Sequence, residues 1–446
     1  MTHPDDHDLP VAVIGAGPIG LVAAAHLVEK GLTPLVLEAG PSAGSSIRAW
    51  GHVRVFSPWK YLVDPVSRRM LEARGWSMPD EEALPTGAEF VETFLEPLAA
   101  HPAIAPHVRY GHRVVAVSRQ GFDKVKSAGR EEAPFELLCR GRTGEEVRIL
   151  ARAVVDASGT YTSPNPLGAG GLPVHGEAGQ GEQVFYGIPD VLGRERSRYA
   201  GRRTLVVGSG HSAFNALLDL AWLTTEEPGT EITWAVRRQE PGLLFGGGGR
   251  DALPARGSLG SRLRQLVDLG VVEMVTGFRT TSLLPTGDGV LASDGLRTLG
   301  PVDEIVVATG FRPDLGMLRE VRLALDPALE SPVRLAPLID PNVHSCGTVY
   351  PHGYQELAHP EPDFYVVGMK SYGRAPTFLL LTGYEQVRSV ACALAGDLEG
   401  ARAVELALPE TGVCSSDLVG GSACCSTAPE PAGAALAGAG GGCGCG

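Results

Sequence analysis

The clearest pattern of hydrophobic and polar positions lies at residues 11–40, which read VAVIGAGPIGLVAAAHLVEKGLTPLVLEAG. The apolar, β-branched run Val11–Ile14 predicts a short buried strand. Ala, Leu and Val then recur at helical density over residues 21–29, and a second apolar run at 34–37 ends in Glu38. This order of strand, glycine turn, helix, strand and acid predicts a βαβ unit.

The turn between the first strand and the helix has the spacing G-x-G-x-x-G. The first glycine permits a tight turn, the second lets a pyrophosphate approach the backbone, and the third lets helix and strand pack closely. The helix start offers N–H groups to phosphates, and an acid 18 residues after the last glycine suits ribose hydroxyls. A dinucleotide site is therefore predicted, either FAD or NAD(P), with an unliganded glycine turn as the alternative. Its candidate residues are Gly15, Gly17, Pro18, Gly20, Glu38 and Ala39.

The same order returns at residues 204–238, where a strand leads into G-x-G-x-x-A, a helix and a further strand. This second strand ends in two arginines instead of an acid. Guanidinium groups bind a 2′-phosphate in a bidentate way, so we expect NADPH to be preferred over NADH. The alternative is that the arginines only solvate the strand end, and the histidine in the turn is expected to start the helix rather than to catalyse. The candidates are Gly208, Gly210, His211, Ser212, Ala213, Arg237 and Arg238.

Three further strands end in small residues, which let the backbone pack against a bound cofactor. One ends at 156–159, one at 308–310, and one at a glycine turn that precedes an apolar helix ending near Gly396. The strand before residue 308 predicts that the chain returns there to the first domain. The candidates at these ends are Ala157, Ser158, Gly159, Ala308, Thr309, Gly310 and Gly368.

The loop that follows Glu38 contains Trp50 and Trp59 within the stretch 41–65. We interpret it as a loop that wraps the ring end of a dinucleotide, with a plain surface loop as the alternative. The catalytic residues are not identified by a motif; Trp59 and Arg48 are the candidates, and Trp59 is also a candidate cofactor contact.

Composition narrows the classes of protein. A chain of 446 residues is too long to fold around one ordinary hydrophobic core, so more than one domain is expected. The net charge is −13 and no Lys/Arg block stands out, which argues against nucleic acid or an anionic membrane as partner. The acidic N-terminus does not resemble a signal peptide, and no apolar run reaches membrane-spanning length. We therefore expect a cytoplasmic protein with reduced cysteines.

Five of the eight cysteines lie in the last 33 residues, where bulky apolar residues are almost absent. This composition predicts a disordered tail. We consider three roles for it: an inert extension, capture of a soft metal or metalloid by thiolates, or a redox relay. No firm metal site is predicted. The possible soft-metal thiols are Cys424, Cys425, Cys443 and Cys445.

The predicted fold class is α/β, with two Rossmann-like three-layer dinucleotide-binding domains, one inserted in the other. The first part of the FAD domain is expected at 1–165, the inserted NADPH domain at 166–303, the second part of the FAD domain at 304–408, and the disordered tail at 409–446.

Two dinucleotide motifs, the second following D-A-S-G and followed by A-T-G-F, make the chain resemble the two-dinucleotide-binding flavoproteins. Flavin-containing and Baeyer–Villiger-type monooxygenases are the most similar, including flavin monooxygenases of arsenic-resistance clusters. The resemblance covers about residues 10–400 and implies FAD at the first motif and NADPH at the second. The chain departs from it at Val174–Glu177, a loose form of F-x-G-x-x-x-H, and at Gly368-Met369, where the family has G-D.

The resemblance implies that NADPH reduces FAD and that a flavin C4a-(hydro)peroxide oxygenates a small substrate, with O₂ as co-substrate. The alternative is a reductase that acts on a thiol, a disulfide or a thiophilic metal or metalloid through the C-terminal cysteines, because no C-x-x-C or C-x₄-C pair precedes residue 414. A nucleotide-binding module without catalysis is disfavoured by the presence of two complete motifs.

Overall fold

The computed structural model describes residues 9–240, 244–245, 254–343, 351–376 and 378–406. The predicted tail, Cys346 and residues 246–250 of the glycine-rich stretch 244–250 lie outside these residues. The strands of the described chain are β1 (Val11–Ile14), β2 (Pro34–Glu38), β3 (Val108–Tyr110), β4 (Arg113–Arg119), β5 (Phe135–Arg140), β6 (Glu146–Ala151), β7 (Ala153–Asp156), β8 (Val184–Tyr186), β9 (Arg203–Val207), β10 (Glu231–Ala235), β11 (Glu273–Val275), β12 (Ser282–Thr286), β13 (Gly289–Ser293), β14 (Thr298–Val302), β15 (Glu304–Val307) and β16 (Phe364–Val366).

The helices of the described chain include four long ones, α1, α7, α8 and α11, and several of one turn. They are α1 (Pro18–Glu29), α2 (Ser45–Arg48), α3 (Pro65–Glu72), α4 (Gly87–Phe90), α5 (Glu96–Ala99), α6 (Arg196–Tyr199), α7 (His211–Glu226), α8 (Pro254–Asp268), α9 (Ala336–Ile339), α10 (Tyr354–Leu357), α11 (Leu380–Leu394) and α12 (Leu398–Arg402). A π-helical segment, Val91–Leu95, joins α4 to α5, and a 3₁₀ segment, Gly368–Tyr372, follows β16.

Two parallel five-stranded sheets share the order of four neighbouring strands, β7-β1-β2-β3 in one and β15-β9-β10-β11 in the other. The first runs β16-β7-β1-β2-β3 and the second β8-β15-β9-β10-β11. In each sheet the central strand, β1 or β9, leads through a glycine turn into a long helix and back to the neighbouring strand. The second domain therefore repeats the first, which confirms the α/β class with two Rossmann-like units.

Each domain has three layers, because a three-stranded antiparallel sheet covers the face that the helices leave open. These are β4-β5-β6 in the first domain and β12-β13-β14 in the second. Val11 and Val13 belong to the core on the helix side, whereas Ala12 and Ile14 belong to the core on the antiparallel side. Burial on both faces explains why β1 is a continuous apolar run rather than an alternating one.

The prediction that the chain returns to the first domain at residue 304 is wrong for the strand that starts there. β15 pairs in parallel with β9 and β8, with Val306 opposite both Val206 and Phe185. It therefore completes the second sheet, just as β7 completes the first beside β1. Both strands end in the same kind of small residues, so the local pattern cannot decide which sheet a strand joins. The chain rejoins the first domain later, where Leu318 and Val321 enter its core.

Three shorter stretches complete the fold. The Gly- and Pro-rich stretch 160–200 contains β8, an edge strand of only three residues. Residues 52–56, which alternate like a strand, form no ladder beyond an isolated bridge from Arg54 to Thr86. Thr86 does start a helix, with Glu89 completing a capping box. None of the helices in the described ranges is long and apolar enough to cross a membrane.

Candidate functional site

The first glycine turn is shaped by backbone packing that only glycine permits. Gly15 has φ +101°, and a Cβ added to it would lie 2.9 Å from the carbonyl oxygen of Ala157 at the end of β7. A Cβ on Gly20 would lie 1.9 Å from the Gly15 carbonyl oxygen. Gly208 in the second domain repeats this arrangement, because its added Cβ would lie 2.3 Å from the Ala308 carbonyl oxygen. The turn of each domain thus packs against the end of the neighbouring strand, β7 or β15.

A cavity of about 340 Å³, here called the first cavity, lies over the first glycine turn. Helix α1 starts there at Gly17 without a side-chain cap. A Cβ added to Gly17 would meet no protein atom within 4 Å, so it would project into open space. The cavity is lined by the predicted residues Gly15, Gly17, Pro18, Glu38, Ala39, Ala157, Ser158, Gly159 and Gly368. Gly20 is buried beneath the turn, where it has a packing role.

Glu38 is held against the turn by backbone N–H groups. One carboxylate oxygen accepts from the N–H of Ala16 at 2.7 Å, and the other accepts from the N–H of Gly40 at 2.6 Å. The carboxylate is only partly buried and lines the first cavity at the end of β2. This is the location in which an acid can accept hydrogen bonds from ribose hydroxyls.

The opposite wall of the first cavity contains a buried ion pair that the sequence analysis missed. The ammonium of Lys370 donates to Asp156 Oδ2 at 2.7 Å and to Ser158 Oγ at 3.1 Å. The side chains of Lys370 and Asp156 are 1% and 0% exposed. Lys370 follows Gly368-Met369, where the chain departs from G-D, and that neighbouring departure was the only signal for it.

The second cavity, of about 520 Å³, lies over the second glycine turn. Helix α7 starts at Gly210 without a side-chain cap, and a Cβ on Gly210 would meet nothing within 4 Å. Thr309 Oγ1 donates to the carbonyl of Asn165 at 3.0 Å, which ties the end of β15 to the incoming linker. The predicted residues that line this cavity are Gly208, Gly210, Ser212, Arg237, Ala308, Thr309 and Gly310.

Two arginines that were not predicted also line the second cavity, namely Arg279 after β11 and Arg374 from the first domain. Arg374 is paired with Glu330 at 2.9 Å. Arg238, predicted beside Arg237, does not line the second cavity. Ala213 is fully buried in the core of the second domain. Consecutive residues at a strand end point in different directions. The arginines that line this cavity therefore come from separate elements instead of from one dipeptide.

The two catalytic candidates lie away from the cavities of the described chain. Trp59 is 5% exposed and packs against Phe90, with ring centroids 6.0 Å apart. Arg48 is paired with Glu96 at 2.5 Å and faces Glu92 at 3.7 Å. Trp59 is therefore a core residue and Arg48 a partly buried residue held in an ion pair, and the structure supports neither as a catalytic group.

A third cavity of about 330 Å³, the junction cavity, lies where the two domains meet. It shares Tyr161, Phe378 and Leu380 with the first cavity and Ser212 with the second. The predicted residue His211 lines it, with its ring 5.3 Å from that of Phe56. The remaining lining residues are Trp50, Val53, Arg54, Val55, Ser57, Leu62, Gly187, Ile188, Asn215, Phe311 and Leu379. His211 thus faces a space between the domains as well as starting α7.

No cysteine lines any of the three cavities in the described chain. The two described cysteines, Cys139 and Cys392, are both buried and unpaired. Burial raises the pKa of the Cys139 thiol to about 11, which leaves it protonated and unreactive at neutral pH. The described residues also contain no group of three or more His, Cys, Asp or Glu side chains arranged to hold a metal ion.

Two glycine turns, each with an uncapped helix start aimed at a cavity, define a two-domain dinucleotide-binding oxidoreductase. The chain belongs to the pyridine nucleotide-disulphide oxidoreductase family, whose model matches residues 12–334. It is a flavin-dependent oxidoreductase with FAD and NADPH as its cofactors.

Known proteins of several activities are similar to the chain. It is 26% identical over 323 residues to a ferredoxin–NADP reductase of Salinispora tropica, and the aligned region covers 72% of this chain and 79% of that relative. It is 30% identical over 211 residues to the indole-3-pyruvate monooxygenase YUCCA1 of Oryza sativa, and the aligned region covers 47% of this chain and 44% of the relative. The structure of a bacillithiol disulfide reductase from Bacillus cereus superposes with a TM-score of 0.64 at 19% identity, covering 87% of this chain and 99% of that one. The last likeness establishes the fold only.

Proposed function

We propose that this protein is an NADPH-dependent flavin monooxygenase that acts on a small molecule held between its two domains. The observation that carries the proposal is the junction cavity, which shares walls with both dinucleotide cavities. Its lining is mostly apolar and, in the described chain, contains no cysteine. Such a space suits a small substrate brought to a flavin, whereas a dithiol relay needs a thiol beside the ring.

FAD is assigned to the first cavity. The backbone at Gly15–Gly17 and the start of α1 would hold the pyrophosphate, because a Cβ at Gly17 would occupy the space that a phosphate needs. Glu38 would accept hydrogen bonds from a ribose, and it is already oriented by the N–H groups of Ala16 and Gly40. Lys370 and Ser158 would form a further part of the lining, where both side chains are held by Asp156.

NADPH is assigned to the second cavity. The start of α7 at Gly210 would receive its pyrophosphate in the same way. Arg237 and Arg279 approach the cavity from the ends of β10 and β11, and two guanidinium groups suit a phosphate dianion. We therefore place the 2′-phosphate between them, with Arg374 reaching the cofactor from the other domain.

Bound FAD supplies the redox chemistry, accepting a hydride equivalent from NADPH and activating O₂. The described residues would bind the two cofactors, orient them and shield them from water. Phe378 and Leu380 lie in the wall between the first cavity and the junction cavity, and their apolar surfaces exclude water from that side. His211 and Ser212 form the corresponding wall toward the second domain.

A reductase is the second candidate, and the similarity to ferredoxin–NADP reductases over 72% of the chain favours it. In that case reduced FAD would pass electrons to a separate acceptor, a disulfide or a thiophilic species. The C-terminal cysteines that a tail relay would use lie outside the described residues. Truncation at Pro409 tests that role, because loss of a relay would lower turnover of a disulfide or thiophilic acceptor while the FAD content stays unchanged.

The two candidates are separated by following NADPH oxidation with purified, FAD-loaded protein. A monooxygenase consumes one O₂ per substrate oxygenated and does not turn over continuously with a disulfide or ferredoxin under anaerobic conditions. Continuous anaerobic turnover with either acceptor, together with no oxygenated product in air, would overturn the monooxygenase proposal. The loading control is the flavin absorbance per polypeptide before each assay.

A further inference from the structure

The junction cavity has an unusual distribution of polar and charged groups. Arg54 is the single charged side chain in its described lining apart from the imidazole of His211, and Arg54 is already engaged. It donates to the carbonyl of Leu84 and faces Glu89 at 3.9 Å. No carboxylate lines the described part of the cavity. An ionised ligand would lose its hydration there. Its counter-charge, Arg54, is 59% exposed and already faces Glu89, so it would recover little of that cost.

Tyr161 is the polar group that connects this cavity to the first one, because it lines both. Its ring packs on Phe311 with centroids 5.1 Å apart, so the side chain is held in place. Its hydroxyl has no hydrogen-bond partner among the described residues, although Tyr161 is half-buried. A tyrosine hydroxyl is protonated at neutral pH and can donate, and burial raises the pKa of Tyr161 further.

We infer that the junction cavity binds an uncharged, mainly apolar small molecule with one hydrogen-bond acceptor, and that the Tyr161 hydroxyl donates a hydrogen bond to this acceptor. The volume of about 330 Å³ is at the lower end of the range of roughly 300–1,000 Å³ for ligand pockets. Apolar side chains such as Phe56, Ile188 and Leu380 would surround the body of the molecule. The role of this ligand as substrate rests on the proposed function; its binding does not.

The test is a calorimetric titration of FAD-loaded protein without NADPH, using three probes of similar size. Phenylacetone is uncharged and carries a carbonyl acceptor, benzyl methyl sulfide is uncharged with only a weak acceptor, and phenylacetate is charged. We expect both uncharged probes to bind and phenylacetate to bind at least tenfold more weakly. Failure of both uncharged probes to bind, or equal binding of phenylacetate, would overturn the inference.

Two variants locate the binding. Tyr161→Phe should weaken phenylacetone about three- to tenfold, the range of one neutral hydrogen bond, and leave benzyl methyl sulfide within about twofold. Ile188→Trp should abolish binding of both, because the larger ring fills the cavity. Its matched control is Leu192→Trp, four residues along the same segment, where Leu192 is 41% exposed and lies outside the lining. The FAD content and melting temperature of both tryptophan variants report whether they fold.

Equal effects of Ile188→Trp and Leu192→Trp, or equal effects of Tyr161→Phe on the two uncharged probes, would also contradict the inference. Because the titration contains no NADPH, its result does not depend on the reaction. If binding is observed as expected but NADPH oxidation yields no oxygenated product from any bound probe, the proposed function fails while the cavity assignment stands.

Discussion

The ammonium of Lys370 lies 2.7 Å from Asp156 Oδ2, and this ion pair joins the 3₁₀ segment Gly368–Tyr372 to the end of β7 beside the first cavity. Neither side chain is more than 1% exposed. Asp156 also accepts from the backbone N–H and the hydroxyl of Ser158. The pair therefore connects the C-terminal part of the first domain to its central sheet at the place assigned to FAD.

Lys370→Met should destabilise the protein by about 3–5 kcal/mol, because it leaves the Asp156 carboxylate buried without a counter-charge. Urea unfolding of the FAD-loaded protein measures this loss. The double variant Asp156→Asn with Lys370→Met should recover most of it, since no isolated charge remains.

The control is an exposed pair of nearly the same length, Lys30 with Asp397 at 2.8 Å, whose side chains are 30% and 41% exposed. Lys30→Met should cost about 1 kcal/mol or less, because solvent screens that pair. A loss for Lys370→Met no larger than that for Lys30→Met would contradict the burial argument.

Gly17→Ala should reduce the affinity for FAD at least tenfold with little effect on folding. Gly17 has an ordinary backbone conformation, φ −79°, and an added Cβ would enter only the open cavity. Titration of the apoprotein with FAD, followed by flavin fluorescence, measures the affinity. Gly179→Ala is the matched control, because its Cβ also meets nothing within 4 Å but Gly179 does not line the first cavity. If both variants bind FAD as the parent does, the phosphates do not approach this turn.

Arg279→Ala and Arg237→Ala should each raise the KM for NADPH about tenfold or more and change the KM for NADH little. A hydrogen bond to a charged group contributes about 1.5–3 kcal/mol, and NADH lacks the 2′-phosphate. Arg238→Ala is the neighbouring control and should have a smaller effect, since Arg238 does not line the second cavity. Steady-state kinetics with both nucleotides give the comparison; parallel changes for NADPH and NADH would place the 2′-phosphate elsewhere.

Burial lowers the pKa of His359 to about 4, against an ordinary value near 6.5. Its Nδ1 accepts from the N–H of Ala324 at 3.3 Å, which requires the neutral ring. The unfolded chain binds the proton more readily, so this contribution to stability is present above about pH 6.5 and is lost as the pH falls toward 4. The free energy of unfolding should fall by about 3 kcal/mol over that interval. Melting temperatures between pH 7.5 and 4.5 should fall less steeply for His359→Leu than for the parent, and equal slopes would contradict this assignment.

Local sequence could predict the elements whose pattern is set by nearest neighbours. The two glycine turns, β1, β2, β9 and both long helices that follow the turns were predicted close to their observed bounds. The assignment of β15 failed because strand pairing depends on contacts with distant residues. β8 was missed because a three-residue edge strand contains too little periodicity.

The sequence by itself determined that the chain has two βαβ units with glycine turns, since those spacings follow from the sterics of a tight turn and a close helix–strand contact. Tertiary structure alone decided which side chains meet at the cavities. It brought Lys370 to Asp156 across 214 residues of chain and Arg279 toward the cavity of Arg237, and it buried Trp59 in the core. Such contacts arise from the packing of layers, and no local pattern of residues encodes them.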